Sequence, residues 1–163
     1  MHTSLDCGLS LRPANPDDLP YIADCIRESV LDSVTEDERE MADLWCDTTV
    51  ATALESLSSR RMEDEVFILT DENESKGMLW MGVSRDQFNS EPVGSLLGIY
   101  VSKEIRGKGI GKQLLRSAES WCRDRDLLTM QLNVGAYNLS AKHLYEAAGY
   151  GERSKILSKV LKR

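Results

Sequence analysis

No apolar run in this chain approaches the roughly 20 residues that carry a helix across a membrane, so a helical span is not expected. The opening Met1-His2-Thr3-Ser4-Leu5-Asp6 lacks the basic and apolar stretches of a signal peptide. Cysteine is sparse: Cys7, Cys25, Cys46 and Cys122 are scattered without metal-ligand spacing. The expectation is therefore no metal, buried thiols and a reducing, cytoplasmic compartment. Basic excess is also lacking. The net charge of −7 excludes generic nucleic-acid binding. No repeat, low-complexity tract or linker divides the chain, and 163 residues suit a single domain spanning 1–163. No Ser/His/Asp constellation is evident, and His143 reads as a structural residue.

What is present reads as a globular α/β protein, with 41% apolar and 29% charged residues. Residues 9–12 form a first short strand. Asp17 is placed to cap a helix with Pro20 in its first turn, where the missing N–H costs nothing. Leu19, Ile22, Ala23, Ile26 and Val30 keep helical spacing. A second helix is expected over 38–58, with Met41, Leu44, Trp45, Ala51, Leu54 and Leu57 as its apolar set. Strands are expected at 66–70, 77–83, 94–101 and 129–134, and a helix over 138–148, stopped by Gly149. Residues 150–161 return as strand. The order is βααβββαβαβ, a mixed central β-sheet flanked by helices.

The strand at 94–101 runs into Arg106-Gly107-Lys108-Gly109-Ile110-Gly111-Lys112. An apolar helical pattern follows at once: Ile110, Leu114, Leu115, Ala118, Trp121 and Cys122. First-turn amides of a helix have no intrahelical acceptor, and the helix dipole adds positive potential there. Glycines let a ligand approach those amides, so this turn suits an anion such as a pyrophosphate. A Walker A loop requires Ser or Thr after Gly-Lys, and Gln113 stands there. A dinucleotide fingerprint requires a third Gly where Lys112 stands, and the next strand ends at Asn133-Val134 rather than at an acid.

The pattern Arg-x-x-Gly-x-Gly, met by Arg106, Gly107-flanked Lys108, Gly109 and Gly111, resembles the acetyl-coenzyme A loop of the Gcn5-related N-acetyltransferase (GNAT) superfamily. Residues 132–150, Leu-Asn-Val-Gly-Ala-Tyr-Asn-Leu-Ser-Ala-Lys-His-Leu-Tyr-Glu-Ala-Ala-Gly-Tyr, are similar to that family's second signature. The two motifs cover about a third of the chain; the remainder matches in layout.

The resemblance implies a GNAT-like fold, acetyl-coenzyme A as co-substrate, and direct acetyl transfer to a primary amine of a small molecule or protein. It places the pantetheine arm against exposed backbone of Ile99, Tyr100 and Val101, with Gly98 marking the bulge that opens the strands. It places the pyrophosphate on the amides of Gly107, Lys108, Gly109, Ile110, Gly111 and Lys112, with lysine charge in support. Asn138 is implied as a further cofactor contact, with the rival role of helix N-cap. Tyr145 is implied as the general acid that serves the leaving thiolate. Its alternative is a core tyrosine beside Leu144.

The general base stays open. Ribosomal-protein N-terminal acetyltransferases carry a Glu five residues before the cofactor Asn, and here that position is Asn133. Glu36, Glu38, Asp43, Asp86 and Glu91 remain candidates. Between Glu28 and Asp43 the chain carries seven acids and one Arg, which favours a cationic acceptor. From Lys103 to Arg125 it carries seven bases and three acids, which favours a polyphosphate. A non-catalytic acyl-coenzyme A sensor and transfer of another acyl group are the alternatives. The resemblance also allows a homodimer, with the strand near 155–161 pairing across an axis.

Overall fold

A computed structural model describes residues 3–5, 8–34, 38–59, 64–72, 74–157 and 159; in its second helix the side chains of 39, 40, 43, 52, 53 and 56–59 lie outside that description. Six strands form one sheet in chain order: β1 (Thr3–Ser4), β2 (Ser10–Pro13), β3 (Glu65–Thr70), β4 (Ser75–Arg85), β5 (Pro92–Val101) and β6 (Met130–Leu132). Helices α1 (Leu19–Leu31) and α2 (Arg39–Ser59) separate β2 from β3. Helix α3 (Ile110–Arg123) links β5 to β6, and α4 (Leu139–Ala147) follows. Neighbours are antiparallel up to β5; β5 and β6 are parallel, which requires the α3 crossover.

Strands β3 and β4 are continuous apolar runs because helices cover both faces of the sheet. Leu11, Phe67, Leu69, Leu79, Met81 and Leu96 face α3 and Tyr145. Val66, Ile68, Met78 and Trp80 face Ile22, Cys25 and Ile26 of α1 and Val50 of α2. The expected apolar face of α3 is buried in full, with Ser117 added. A Cβ on Gly94 of β5 would stand 2.2 Å from the Cys122 sulfur, so a glycine there lets α3 seat closely on the strand.

The α/β class, the mixed sheet and the element order through α4 hold, and four details differ. Asp17 does not cap α1. Asn15 accepts from the Asp17 amide at 2.8 Å, and the buried Asp18 accepts from the Asn15 amide at 2.8 Å, closing a short 3-10 turn ahead of the helix. Arg12 of β2 grips Asp18 through two 2.7 Å bonds and holds its carboxyl below the usual range. On α2, Met41, Leu44 and Trp45 are exposed, while Ala42, Cys46 and Val50 reach the core. The four-residue rows of a helix separate these two sets.

Among the described residues the last strand expected at 150–161 is not seen: residues 151–157 are neither helix nor strand, with Ile156 and Leu157 exposed. Residues 158 and 160–163 lie outside the described part, as do Cys7 and Glu36 and the side chain of Asp43. Instead, Tyr150 donates to Glu119 at 3.2 Å, and Arg153 pairs with Asp86, so the segment is held by side chains rather than by a ladder. Finally, two-residue β1 was not expected; it lies on the sheet edge beside β2.

Candidate active site

The parallel ladder between β5 and β6 stops after Leu96 pairs with Leu132. On the other side of β5, Trp80 pairs with Gly98 and Met81 with Leu96, so Leu97 is the extra residue of a β-bulge. The bulge thus adjoins Gly98, the glycine expected to mark it. Beyond it β5 continues alone to Val101, and a cleft of about 880 Å³ opens beside it.

The direction of the backbone groups follows from alternation along the strand. Ser102 donates its amide to Lys76 on the β4 side at 2.8 Å. Tyr100, two residues earlier, therefore also turns its polar groups toward β4. Ile99 and Val101 turn theirs toward the cleft, and there Val101 O accepts from Arg106 Nε at 2.8 Å. The edge open to an extended partner is then the Ile99 amide and carbonyl and the Val101 amide. Tyr100 lines the cleft through its ring instead, as its side chain packs with the α1-facing core.

The glycine turn forms the next wall. Gly107 (φ 79°) and Gly109 (φ 77°) both take the left-handed conformation that favours glycine, and a Cβ on either would meet nothing within 4 Å. Gly109 is the N-cap residue of α3, and its carbonyl accepts from Gln113 at 3.2 Å. The amides of Ile110, Gly111 and Lys112 are left at the first turn, facing the cleft that these residues line. This open cradle of amides at a helix N-terminus fits a pyrophosphate. Lys112 lines the cleft; Lys108 is exposed and does not. Gly111 also lies where a Cβ would stand 3.2 Å from Leu144, so it lets α4 approach α3.

Arg106 is placed differently from its neighbours. Besides Val101 O, its guanidinium reaches Asp32 Oδ2 at 3.2 Å and stands 5.5 Å from the Tyr100 ring centroid. It ties the turn to the end of α1 rather than extending into the amide cradle. Sequence reasoning missed this link, because its two ends are 74 residues apart.

Asn138 lines the cleft and also caps α4, accepting from the Ala141 amide at 3.1 Å. Gly135, just ahead, packs on Ser33: a Cβ there would lie 3.0 Å from the serine Cβ. Tyr145 lines the cleft from α4, 7% exposed. Its ring meets Tyr150 edge-on at 6.1 Å between centroids. Burial alone pushes its phenol above the ordinary range, so it stays protonated well past neutrality.

Among the described residues, Asp32 is the carboxylate that lines the cleft. Asp86 lies outside the cleft lining. It is buried at the turn after β4, where it accepts from the amides of Phe88 (2.8 Å) and Asn89 (3.2 Å), from Gln131 (2.5 Å) and from both Arg153 nitrogens. Those donors hold its carboxyl down at about 2. Glu38 and Glu91 are exposed and stand outside the cleft lining, as does His143.

Asp86 predicts a pH signature. Its folded pKa is depressed, so its contribution is present above the unfolded value near 3.8 and is lost as pH falls toward 2. Melting temperatures of the wild type and Asp86→Asn should differ at pH 7 and converge between about pH 4 and pH 2. A gap that persists unchanged to pH 2 would mean the carboxylate does not carry this clamp.

The profile of the family described as "Acetyltransferase (GNAT) family" matches residues 27–150. The uncharacterized N-acetyltransferase YycN of Bacillus subtilis is 31% identical over 91 residues, which are 56% of this chain and 57% of that protein. Aminoglycoside N(6′)-acetyltransferase type 1 of Stenotrophomonas maltophilia is 26% identical over 118 residues, 70% of this chain and 77% of that one. The chain thus matches just over half the length of the first of these relatives. A putative acetyl transferase from Pyrococcus furiosus superposes with a TM-score of 0.74 at 26% identity, over 94% of this chain and 99% of that one. Aminoglycoside N-acetyltransferase AAC(6′)-Iy, solved with coenzyme A, shares the fold with a TM-score of 0.70 at 19% identity, covering 98% and 100%.

Proposed function

The chain belongs to the GNAT family of acetyltransferases, and on that premise we propose that it moves an acetyl group from acetyl-coenzyme A to a primary amine by direct attack. One observation carries the reading. The free edge of β5 at Ile99 and Val101 opens onto the same cleft as the amide cradle of the glycine turn. An extended amide-bearing arm pairs with such an edge, and a pyrophosphate sits on such a cradle.

Acetyl-coenzyme A supplies the thioester. The chain's own part is to bind, orient and handle charge. In this reading an amide of the free β5 edge, that of Ile99 or Val101, would stabilise the negative charge developing on the thioester oxygen. The amine nitrogen, once deprotonated to water, bonds to the carbonyl carbon. As the carbon–sulfur bond breaks, its electron pair leaves on sulfur, and Tyr145 gives that sulfur its phenolic proton. The nitrogen, cationic after the attack, gives up a second proton to water, and water returns a proton to Tyr145, so the products are the amide and the free thiol. Asn138 orders the start of α4 and so the height at which Tyr145 enters the cleft.

Calorimetric titration with acetyl-coenzyme A and with NAD, followed by thiol release on adding amines, tests this. Micromolar binding of the coenzyme A compound alone, with amine-dependent thiol release, is the expected result. No binding of acetyl-coenzyme A would sink the reading, and binding with no amine-dependent release would leave only an acyl-coenzyme A receptor.

A further inference from the structure

The end of α1 brings Ser29, Asp32 and Ser33 onto one face, and all three line the cleft. Ser29 Oγ donates to Cys25 O at 2.8 Å, and Ser33 Oγ donates to Ser29 O at 2.8 Å. A carbonyl can only accept, so both hydroxyl protons are committed to the helix backbone. What each hydroxyl can still offer a ligand is the lone pairs of its oxygen. Asp32 gives Oδ2 to Arg106 at 3.2 Å, and among the described residues Oδ1 has no hydrogen-bond partner. Asp32 is also the C-cap of α1, where the helix dipole adds negative potential. Three acceptor oxygens therefore stand together on one wall of the cleft. An ammonium group is their complement, with three donors, no acceptor and one positive charge.

Arg106 opposes a second cation while the cleft is empty, because it neutralises Asp32. The cofactor changes that balance. A pyrophosphate on the glycine turn, which Arg106 leads into, places negative charge on the other side of the guanidinium. Arg106 then stands between two anions, and Asp32 is no longer cancelled. The place is also close to the open edge of β5, since the same guanidinium reaches Val101 O at 2.8 Å. Ser33 packs on Gly135 beyond β6, so the end of α1 reaches both sides of the cleft.

We infer that Asp32 Oδ1, Ser29 Oγ and Ser33 Oγ form the seat of the acceptor's ammonium group and act as its positioning residues. This rests on the acetyl-transfer reading above. The seat holds the amine in its charged form until water takes the proton. Loss of that proton removes the charge that holds the nitrogen and frees its lone pair for the thioester carbon. An alcohol or thiol brings one donor and no charge, so the same three oxygens select an amine over either.

The test needs no knowledge of the acceptor's body, because the ammonium can be carried on the cofactor. S-(3-aminopropyl)- and S-(5-aminopentyl)-coenzyme A are titrated by calorimetry against their S-(3-hydroxypropyl)- and S-(5-hydroxypentyl)- counterparts. At one tether length or both, the amino compound should bind at least about tenfold tighter than the hydroxy compound, as a charge-assisted hydrogen bond allows. Added salt should shrink the difference. Asp32→Asn keeps an oxygen for Arg106 and should bring the preference to within about twofold, with the hydroxy compounds bound as before. Ser29→Ala with Ser33→Ala keeps both Cβ atoms, including the one packed on Gly135, and leaves Arg106 its partner. This pair should cut the preference by about threefold. If Asp32→Asn also loosens the glycine turn and weakens the hydroxy compounds, the serine pair decides. Equal binding of amino and hydroxy compounds at both lengths, or a preference that the serine pair leaves unchanged, would overturn the inference while the transferase reading stands. A protein that binds none of the four compounds, nor acetyl-coenzyme A, would bring down that reading first, and the inference with it.

Discussion

Tyr145→Phe should lower kcat by about 10²- to 10³-fold while acetyl-coenzyme A binds as before. The size of the effect follows from where the hydroxyl sits. The ring is 7% exposed and packs edge-on against Tyr150, and Phe keeps both contacts. Among the described residues the hydroxyl has no hydrogen-bond partner, so nothing structural leans on it. The loss is then confined to proton delivery to the departing sulfur. The pH dependence has a defined sign. Burial raises the Tyr145 pKa; in the proposed role the acid form is the active one, so its contribution falls only as pH rises through that raised value. The wild type should therefore lose rate on an alkaline limb above the ordinary tyrosine range, and Tyr145→Phe should lack that limb. Steady-state kinetics of both across neutral to alkaline pH, with calorimetry of the cofactor, decides it. A variant with wild-type kcat would reduce Tyr145 to a core residue.

Gly109→Glu should abolish measurable acetyl-coenzyme A binding, a loss of about 100-fold or more. Two effects add. A non-glycine residue at φ 77° bears left-handed strain of about 1 kcal/mol. The larger effect is a carboxylate at the first turn of α3, where it competes with the pyrophosphate for the same amides. Charge-assisted hydrogen bonds contribute about 1.5–3 kcal/mol each, so losing two accounts for the predicted drop. Gly109→Asn separates the causes, since Asn tolerates this conformation and adds no charge. It should bind within about tenfold of the wild type. Because Gly109 has open space around it, neither variant disturbs the core, and circular dichroism should report intact helix. Binding retained in Gly109→Glu would remove the turn from the cofactor site.

Parts of this site were legible in the sequence because they depend on neighbours in the chain. Positive φ at Gly107 and Gly109, the helix starting at Ile110 and the Asn138 cap each follow from a few consecutive residues. The buried face of α3 was legible through its period. What escaped is what the fold brings together from afar. Asp32 meets Arg106, Gly135 meets Ser33, and Asp86 collects Gln131 and Arg153. No local pattern marks such contacts, and a solitary Asp such as Asp86 reads the same whether solvated or locked. Gly98 marks the bulge in the sequence, but not which side chain it throws out, which is that of Leu97. The apolar set of α2 was legible as a set but not as a direction, since apolar residues lie on both sides of that helix.

Arg106 holds, with one guanidinium, the strand edge at Val101 and the end of α1 at Asp32. The turn that would carry one ligand and the helix that would touch the other are thus fastened to the same side chain. Thermodynamic reciprocity then applies to the pair of ligands: whatever affinity the first lends or withholds from the second by straining that fastening, the second returns in equal measure. Order of arrival would change the path between the empty and the doubly occupied protein, and leave the free energy between them untouched.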